Sequence, residues 1–472
     1  MNKEGKRFSW VVCSQLVQIC CQLINILVIT RLFTPNDYGV FAIGFIIISI
    51  VNQMFVLGFS APLIQFDDHN KYYSTAWTFN LLVSVFVTMT LMATIPKIVG
   101  LLFPSYIDYV SSFRLLSLSV LITGLGNVGV IELYRKRETG KIFYLRGFIE
   151  LVKVGLIFGI YYYFQDYRCL FYAFIISSVI QLSLSYIIAP IKTKFEIKVP
   201  LLRDLFDFSK WLQLKNLTKV VANNVDSIIL VSFLGPSSLG LYNRSRVISN
   251  VPEQVVSNIN DVYLYPLISQ NKNNPEALKK CFEGSMLILI WVLTNLILGF
   301  FIFGLEIIRL FLGDSWSGMH EPLGILILGL LGSCILNSLF PFLRAKGHPK
   351  VEFKLFLFRT ILFLVLCFPL IKYFGLVGAA YSHLIAVIMI FPIFLREVKY
   401  LIGGYTVGLY KMIFIFGVVL IPLISFRSFF PAQVGGLFFV LLYNLIILFS
   451  IRIFYPYFDL ARKFQLLIRK NG

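Results

Sequence analysis

The sequence predicts an all-α polytopic membrane protein, on three observations: its composition, the length and recurrence of its apolar runs, and where its positive charge falls. Of 472 residues, 58% are hydrophobic and only 14% charged, against about 45–50% apolar usage in soluble domains; the mean hydropathy is +0.82. Apolar runs of roughly 18–24 residues recur along the chain, each long enough for a helix rising about 1.5 Å per residue to cross about 30 Å of hydrocarbon. Alternating ten-residue segments of the barrel type are not visible, so the spans are helices.

The spans fall near 9–30, 38–60, 73–95, 110–132, 147–165, 169–190, 210–232, 240–266, 284–305, 321–343, 354–373, 376–395, 408–428 and 433–453. This gives about 14 transmembrane helices, with twelve as the alternative if the last pair is set aside. The opening "MNKEGKRF" and its apolar run have the look of a secretory signal. The run exceeds the usual length of about 7–15 residues and no small-x-small cleavage site follows, so it is kept as the first span.

A formal net charge of +19 in a soluble chain would point to nucleic acid. Here about 30 of the 42 Lys and Arg lie in alternate loops and tails that include both ends of the chain, about 7 on the opposite side and about 5 within spans. The positive-inside rule then makes the N- and C-termini cytoplasmic, and no nucleic-acid partner is expected. The Arg135-Lys136-Arg137 cluster, the Lys192, Lys194 and Lys198 loop and the Arg344–Lys354 loop read as topology signals near anionic headgroups. The seven cysteines carry no CxxC spacing and the four histidines are scattered, so neither a disulfide framework nor a metal site is indicated. There is no Walker A sequence, and no cofactor is expected.

The stretch "ITRLFTPNDYGVFAIGF" at Ile29–Phe45 has a paler copy, "LVSFLGPSSLGLY", at Leu230–Tyr242. Leu32-Phe33-Thr34-Pro35 and Gly39 align with Phe233-Leu234-Gly235-Pro236 and Gly240. Further on, "IVGLLF" at Ile98 resembles "IIRLFL" at Ile307, and Arg135 with Lys141 matches Arg344 with Lys350. Three ordered matches argue for two related six-helix halves, residues 1–198 and 199–400, with 401–472 adding two helices and a basic amphipathic tail. Because six is even, both halves enter the membrane from one side, and two such lobes leave a cavity that rocking exposes alternately to each face. That pattern fits a transporter better than an enzyme. Within the motif, Pro35 sets a tight outer turn with Asn36 and Asp37 as candidate caps. Arg31 either snorkels to the interface or faces the cavity mouth.

Polar stripes run inside the spans. The seventh carries Lys215, Lys219, Asn223 and Asp226 at spacings of three and four, which share a helix face. The eighth carries Asn243, Arg244 or Arg246, Asn250, Glu253 or Gln254, Ser257 and Asp261, and the first carries Gln15, Gln18, Gln22 and Asn25. A charge at mid-bilayer costs about 2.5–3.5 kcal/mol, so these residues face protein or water rather than lipid. One reading pairs the bases with Asp226, Glu253 and Asp261 as interhelical glue. The other builds a hydrated cationic cavity for an anionic substrate, with those carboxylates as coupling groups. Lys215 and Lys219 also lie where they could snorkel to the cytoplasmic surface. Glu150 and Lys153 read as an i, i+3 pair, "KVPLLRDLFDFSKWLQ" as an interfacial helix joining the halves, and "FDLARKFQLLIRK" as a segment on the inner surface.

The run Arg31–Gly39 resembles the first-loop signature of the bacterial polysaccharide transporter family, the Wzx-type flippases, and "NNVDSIILVSFLGPSSLGLYNRSRVI" resembles its second-half signature. The resemblance covers nearly the whole chain. It implies a fold similar to multidrug and toxic-compound extrusion proteins, with two lobes around a central cavity. It also implies a substrate, a polyprenyl-pyrophosphate-linked oligosaccharide repeat unit flipped between leaflets of the bacterial plasma membrane for O-antigen, capsule or exopolysaccharide synthesis. Polysaccharide polymerase and chain-length machinery would be its partners. Basic cavity residues in that family match Arg31, Arg244, Arg246, Lys215 and Lys219 in kind, not position by position. The alternatives are a cation-coupled multidrug exporter, a lipid II flippase and, from another class, a polysaccharide polymerase or ligase, which would carry a larger outer loop than the short connection near Glu306–Glu321.

Overall fold

The computed structural model describes residues 17, 20–55, 59–66, 68–136, 138–260, 264–265, 268 and 275–402. Gln15, Gln18, Asp261, the spans expected at 408–428 and 433–453 and the basic C-terminal segment lie outside them. Among the described residues, eight helices are long and apolar enough to cross a membrane. By contact the chain divides into two compact units, Met1–Asn243 and Arg244–Gly472. Residues 199–243 therefore group with the first unit, although the repeat sets them at the head of the second half.

The first unit opens with α1 (Cys20–Leu32), which carries a π turn over Asn25–Ile29, and α2 (Pro35–Phe55). Between them Thr34 and Asp37 form a capping box. Thr34 N and Oγ1 donate to Asp37 Oδ2 at 2.8 and 2.7 Å, and Asp37 N donates back to Thr34 Oγ1 at 3.3 Å, with Pro35 in the first helical turn, where its missing N–H costs nothing. The capping residue is thus Thr34. Asn36 instead donates to Tyr109 Oη at 3.3 Å.

The chain continues through α3 (Ser60–Gln65), the 30-residue α4 (Tyr73–Leu102), a 3-10 turn (Pro104–Tyr109), α5 (Val110–Gly124) and α6 (Gly129–Arg135). Next come α7 (Thr139–Phe143), α8 (Ile149–Phe164) and α9 (Arg168–Ile188). Phe113, Leu116 and Val120 on α5 are buried at the three- and four-residue spacing of one helix face. Glu150 and Lys153 pair at 3.8 Å on α8. The connection after α9 lies along the start of α4, where Lys194 N, Glu196 N and Lys198 N donate to the hydroxyls of Ser74, Thr78 and Thr75. These bonds satisfy backbone groups that no regular element serves.

α10 (Val199–Ala222) is one continuous helix with Pro200 in its first turn. The sequence places an interfacial helix at its start, yet Leu205 is fully buried in a cluster with Phe59, Leu63, Tyr72 and Ala76. Tyr72 Oη also donates to Asp204 Oδ2 at 3.1 Å. Leu201, Leu202 and Phe206 are partly buried against that cluster, while Phe208 is exposed. The opposite face is charged: Lys210 sits 2.8 Å from Asp207 and holds its carboxyl below the usual carboxylate range. α11 (Val225–Ile259) follows after a break at Asn223 and Asn224.

In the second unit, α12 (Pro275–Phe311), a 3-10 turn (Asp314–Met319), α13 (His320–Asn337), α14 (Phe340–Ala345) and α15 (Pro349–Ile402) repeat the order that begins at α4. The 3-10 turns start at Pro104 and Asp314, and the helices after them at Val110 and His320. Tyr106 and Trp316, third in each turn, are both fully buried. The order of elements around the two 3-10 turns is thus the same. Two helices contain a single non-helical glycine, Gly235 in α11 (φ 78°, ψ −174°) and Gly375 in α15 (φ 59°, ψ −133°). Glycine adopts such angles without a Cβ penalty, and each kink falls where the sequence separates two spans.

Arg135, read from sequence as a topology signal, caps a helix. Its Nη1 donates to the carbonyls of Leu63, Ile64 and Phe66 at 3.2, 2.7 and 3.0 Å, the last turn of α3, where a cation also meets the negative end of the helix dipole. Arg135→Ala should destabilise the detergent-purified protein by about 1.5–3 kcal/mol and speed amide exchange over residues 60–66. Unchanged exchange there would contradict the capping role.

Candidate substrate-binding elements

The two copies of the Pro–Gly motif meet. A Cβ built on Gly39 of α2 would stand 1.8 Å from the carbonyl oxygen of Pro236, and one built on Gly240 would stand 1.8 Å from that of Pro35. The approach is reciprocal, and the obstacle on each side is backbone, which cannot swing away as a side chain can. Only glycine fits at either position, as at other close helix crossings in membranes. The proline of each motif supplies the carbonyl that covers the other's glycine.

Beside this crossing Asp226, in the first turn of α11, is fully buried. Its Oδ1 accepts from Ser227 N at 2.7 Å, and its Oδ2 accepts from Tyr242 Oη at 2.6 Å. Tyr242 is also fully buried and lies beyond the Gly235 kink, so the bond braces the two arms of α11. A buried acceptor is met by donors, as low-dielectric surroundings demand. In the second unit Glu253 Oε1 accepts from Asn337 Nδ2 at 2.8 Å, while Asn260 donates to the Asn337 carbonyl at 3.4 Å.

The other sequence-selected residues spread over several environments. Arg31 is exposed in the last turn of α1, and Gln22 is half-buried. Lys219 and Asn223 are exposed at the end of α10 while Asp226 is buried, because the stripe crosses the break between α10 and α11. Lys215 lies on α10. On α11 Arg244 is buried, and Asn243, Arg246, Asn250 and Glu253 are half-buried.

The first unit also holds two adjoining hollows of ≈ 510 and ≈ 430 Å³, sizes typical of small-molecule sites. They share Ser49, Asn52, Thr123 and Asn127 as lining, and neither has an Asp, Glu, Lys, Arg or His among its described lining residues. Trp77, Asn80 and Asn216 line the larger one. Trp77 Nε1 donates to Tyr186 Oη at 3.1 Å, and Tyr186 donates to the Leu125 carbonyl at 2.9 Å. These neutral residues escape a search for intramembrane charge. Their signal was present in "SIVNQ", where Ser49, Asn52 and Gln53 recur at helical spacing inside an apolar run.

The fold is shared with known transporters. The lipid II flippase MurJ in an inward closed conformation matches with a TM-score of 0.73 at 16% identity, over 96% of this chain and 99% of that one. An inward-facing multidrug resistance MATE family transporter of the MOP superfamily matches at 0.63 and 15%, over 83% and 96%. The class is therefore a multi-pass helical membrane protein of the flippase and multidrug-exporter fold, as the sequence resemblance implied. The chain belongs to the polysaccharide biosynthesis protein family, whose model matches residues 28–321. Among its relatives, the teichuronic acid biosynthesis protein TuaB of Bacillus subtilis is 25% identical over 305 residues, 63% of this chain and 62% of TuaB. The chain thus spans about three-fifths of that relative's length.

Tyr242→Phe removes the 2.6 Å donor to Asp226 and should lower stability by about 1–3 kcal/mol. A double-mutant cycle with Asp226→Asn should give a coupling of at least about 0.5 kcal/mol; strict additivity would show that the bond does not brace α11.

Proposed function

We propose that this chain is a flippase that moves polyprenyl-pyrophosphate-linked oligosaccharide repeat units from the inner to the outer leaflet of the bacterial plasma membrane by alternating access, for O-antigen, capsule or exopolysaccharide synthesis. The observation that carries the reading is a pair of arginines, Arg244 and Arg246, on an apolar helix of a polysaccharide biosynthesis family member. A pyrophosphate head cannot cross hydrocarbon unaided, since an isolated charge there costs more than binding recovers. Guanidinium and ammonium groups give it charge-assisted hydrogen bonds, and amides and hydroxyls meet the sugars.

In this scheme Arg31, Lys215, Lys219, Arg244 and Arg246 attract the pyrophosphate, and Asn223, Asn243, Asn250, Gln15, Gln18 and Gln22 supply neutral contacts. Asp226, Glu253 and Asp261 are the candidate coupling carboxylates. The loop charges set both termini in the cytoplasm, so cargo loads from the side on which it is made. Polymerase and chain-length machinery would consume it outside. The translocation itself makes and breaks no covalent bond, so the role is not enzymatic. The basic excess among the candidate residues disfavours a cationic cargo, and the described lining of the first unit's hollows holds no carboxylate as counter-ion.

Arg246→Ala should cut delivery of glycolipid to the outer leaflet at least tenfold while abundance stays near normal. Unaltered flux would remove Arg246 from the site. Arg31→Ala should lower flux and Arg31→Lys retain it; full activity from Arg31→Ala would leave that residue a role only in the turn.

A further inference from the structure

We infer that the neutral hollow of the first unit is a carbohydrate site, which holds the uncharged hydroxyl face of the cargo apart from the basic residues that attract its pyrophosphate. The inference rests on the glycolipid reading above and narrows it. Three observations carry it.

The first is charge. In a chain of net charge +19, neither adjoining hollow has an Asp, Glu, Lys, Arg or His among its described lining residues. An anionic or cationic ligand would enter with its charge uncompensated. A polyhydroxy ligand brings no such penalty and needs what the walls contain, amides and hydroxyls.

The second is unmet hydrogen bonding. Asn52 Oδ1 and Asn80 Oδ1 are buried, and neither accepts a hydrogen bond among the described residues. Asn52 Nδ2 reaches Thr123 Oγ1 only at 3.5 Å, at the edge of a hydrogen bond. Asn127, in the same walls, shows the contrast. Its Nδ2 donates to the Ser185 and Ala189 carbonyls and its Oδ1 accepts from Gly129 N, all at 2.8 Å. Asn127 is a structural amide with every polar atom in use, whereas Asn52 and Asn80, in the lining of the larger hollow, each have an amide oxygen with no partner among the described residues. A sugar hydroxyl both donates and accepts, so one ring can meet the oxygen of an amide and its NH₂ group together.

The third is an aromatic wall. Trp77 lines the hollow and its indole N–H is committed to Tyr186, which fixes the ring and leaves its apolar surface for packing. A pyranose presents an apolar C–H face and a polar rim. A fixed indole beside open amides complements both.

The test uses the full-length protein in nanodiscs and three probes: the glycolipid extracted from the producing strain, the oligosaccharide released from it by mild acid, and sugar-free polyprenyl pyrophosphate. Asn52→Leu and Asn80→Leu should each weaken glycolipid capture at least tenfold and leave sugar-free polyprenyl pyrophosphate unchanged. Equal loss of both lipids, or loss of neither, overturns the inference. Trp77→Phe is a milder change that keeps the measurement informative if the leucine variants fold poorly. The released oligosaccharide should quench tryptophan emission of the wild type, and Trp77→Phe should abolish that quenching; quenching that persists assigns the sugar to another place. A wild-type protein that captures no glycolipid at all overturns the flippase reading itself, whereas capture that the three variants leave intact overturns only the carbohydrate site.

Discussion

Hydrocarbon offers no hydrogen-bond partner, and this constraint orders the rest of the structure. Every polar group placed within the spans must be met by protein or turned toward a wet space. Asp226 is met by Ser227 and Tyr242, Glu253 by Asn337, and Asn127 by three backbone groups. These are braces. Asn52 Oδ1 and Asn80 Oδ1 are not met among the described residues, and both residues belong to the lining of a hollow. The same rule that makes a buried carboxylate a structural element makes an open amide a candidate for binding.

Close approach of backbone is the second device. Gly39 and Gly240 each lie under the proline carbonyl of the other motif, so the first loop and its later copy are the two sides of one contact. Without a hydrophobic drive between helices in lipid, tight backbone packing of this kind supplies the cohesion. The Gly235 kink turns α11 at the same place, and Tyr242 then reaches back to Asp226.

Much of this was legible in the sequence. Apolar run length pointed to a helical membrane protein, which the eight long apolar helices among the described residues match, and the repeated Pro–Gly motif with the "IVGLLF" and "IIRLFL" pair suggested an internal repeat; the 3-10 turns at Pro104 and Asp314 are each followed by a helix. What the repeat could not give was the meeting of Pro35 with Gly240, because contact between distant segments leaves no local pattern. The amphipathic start of α10 reads as an interfacial helix; Leu205 packs into a buried protein cluster while Phe208 stays exposed. Arg135 reads as a loop charge, since nothing local reveals that the end of α3 needs a cap. The charged stripes were visible as types and spacings, but the break at Asn223 and Asn224 decides which members are buried. The neutral hollow was passed over because polarity without charge stands out less in an apolar span.

In the proposed reading, the protein carries a cargo both charged and sugar-bearing through a medium hostile to both. In that reading, basic residues on α10 and α11 answer the charge, and neutral amides in the first unit answer the hydroxyls. The most direct test is the sidedness of the lipid-linked oligosaccharide in spheroplasts with and without this protein, in a strain that lacks any substitute flippase, read with an outer-face glycan probe. Depletion should trap the glycolipid on the inner leaflet. Glycolipid that still reaches the outer face at the normal rate would contradict the account.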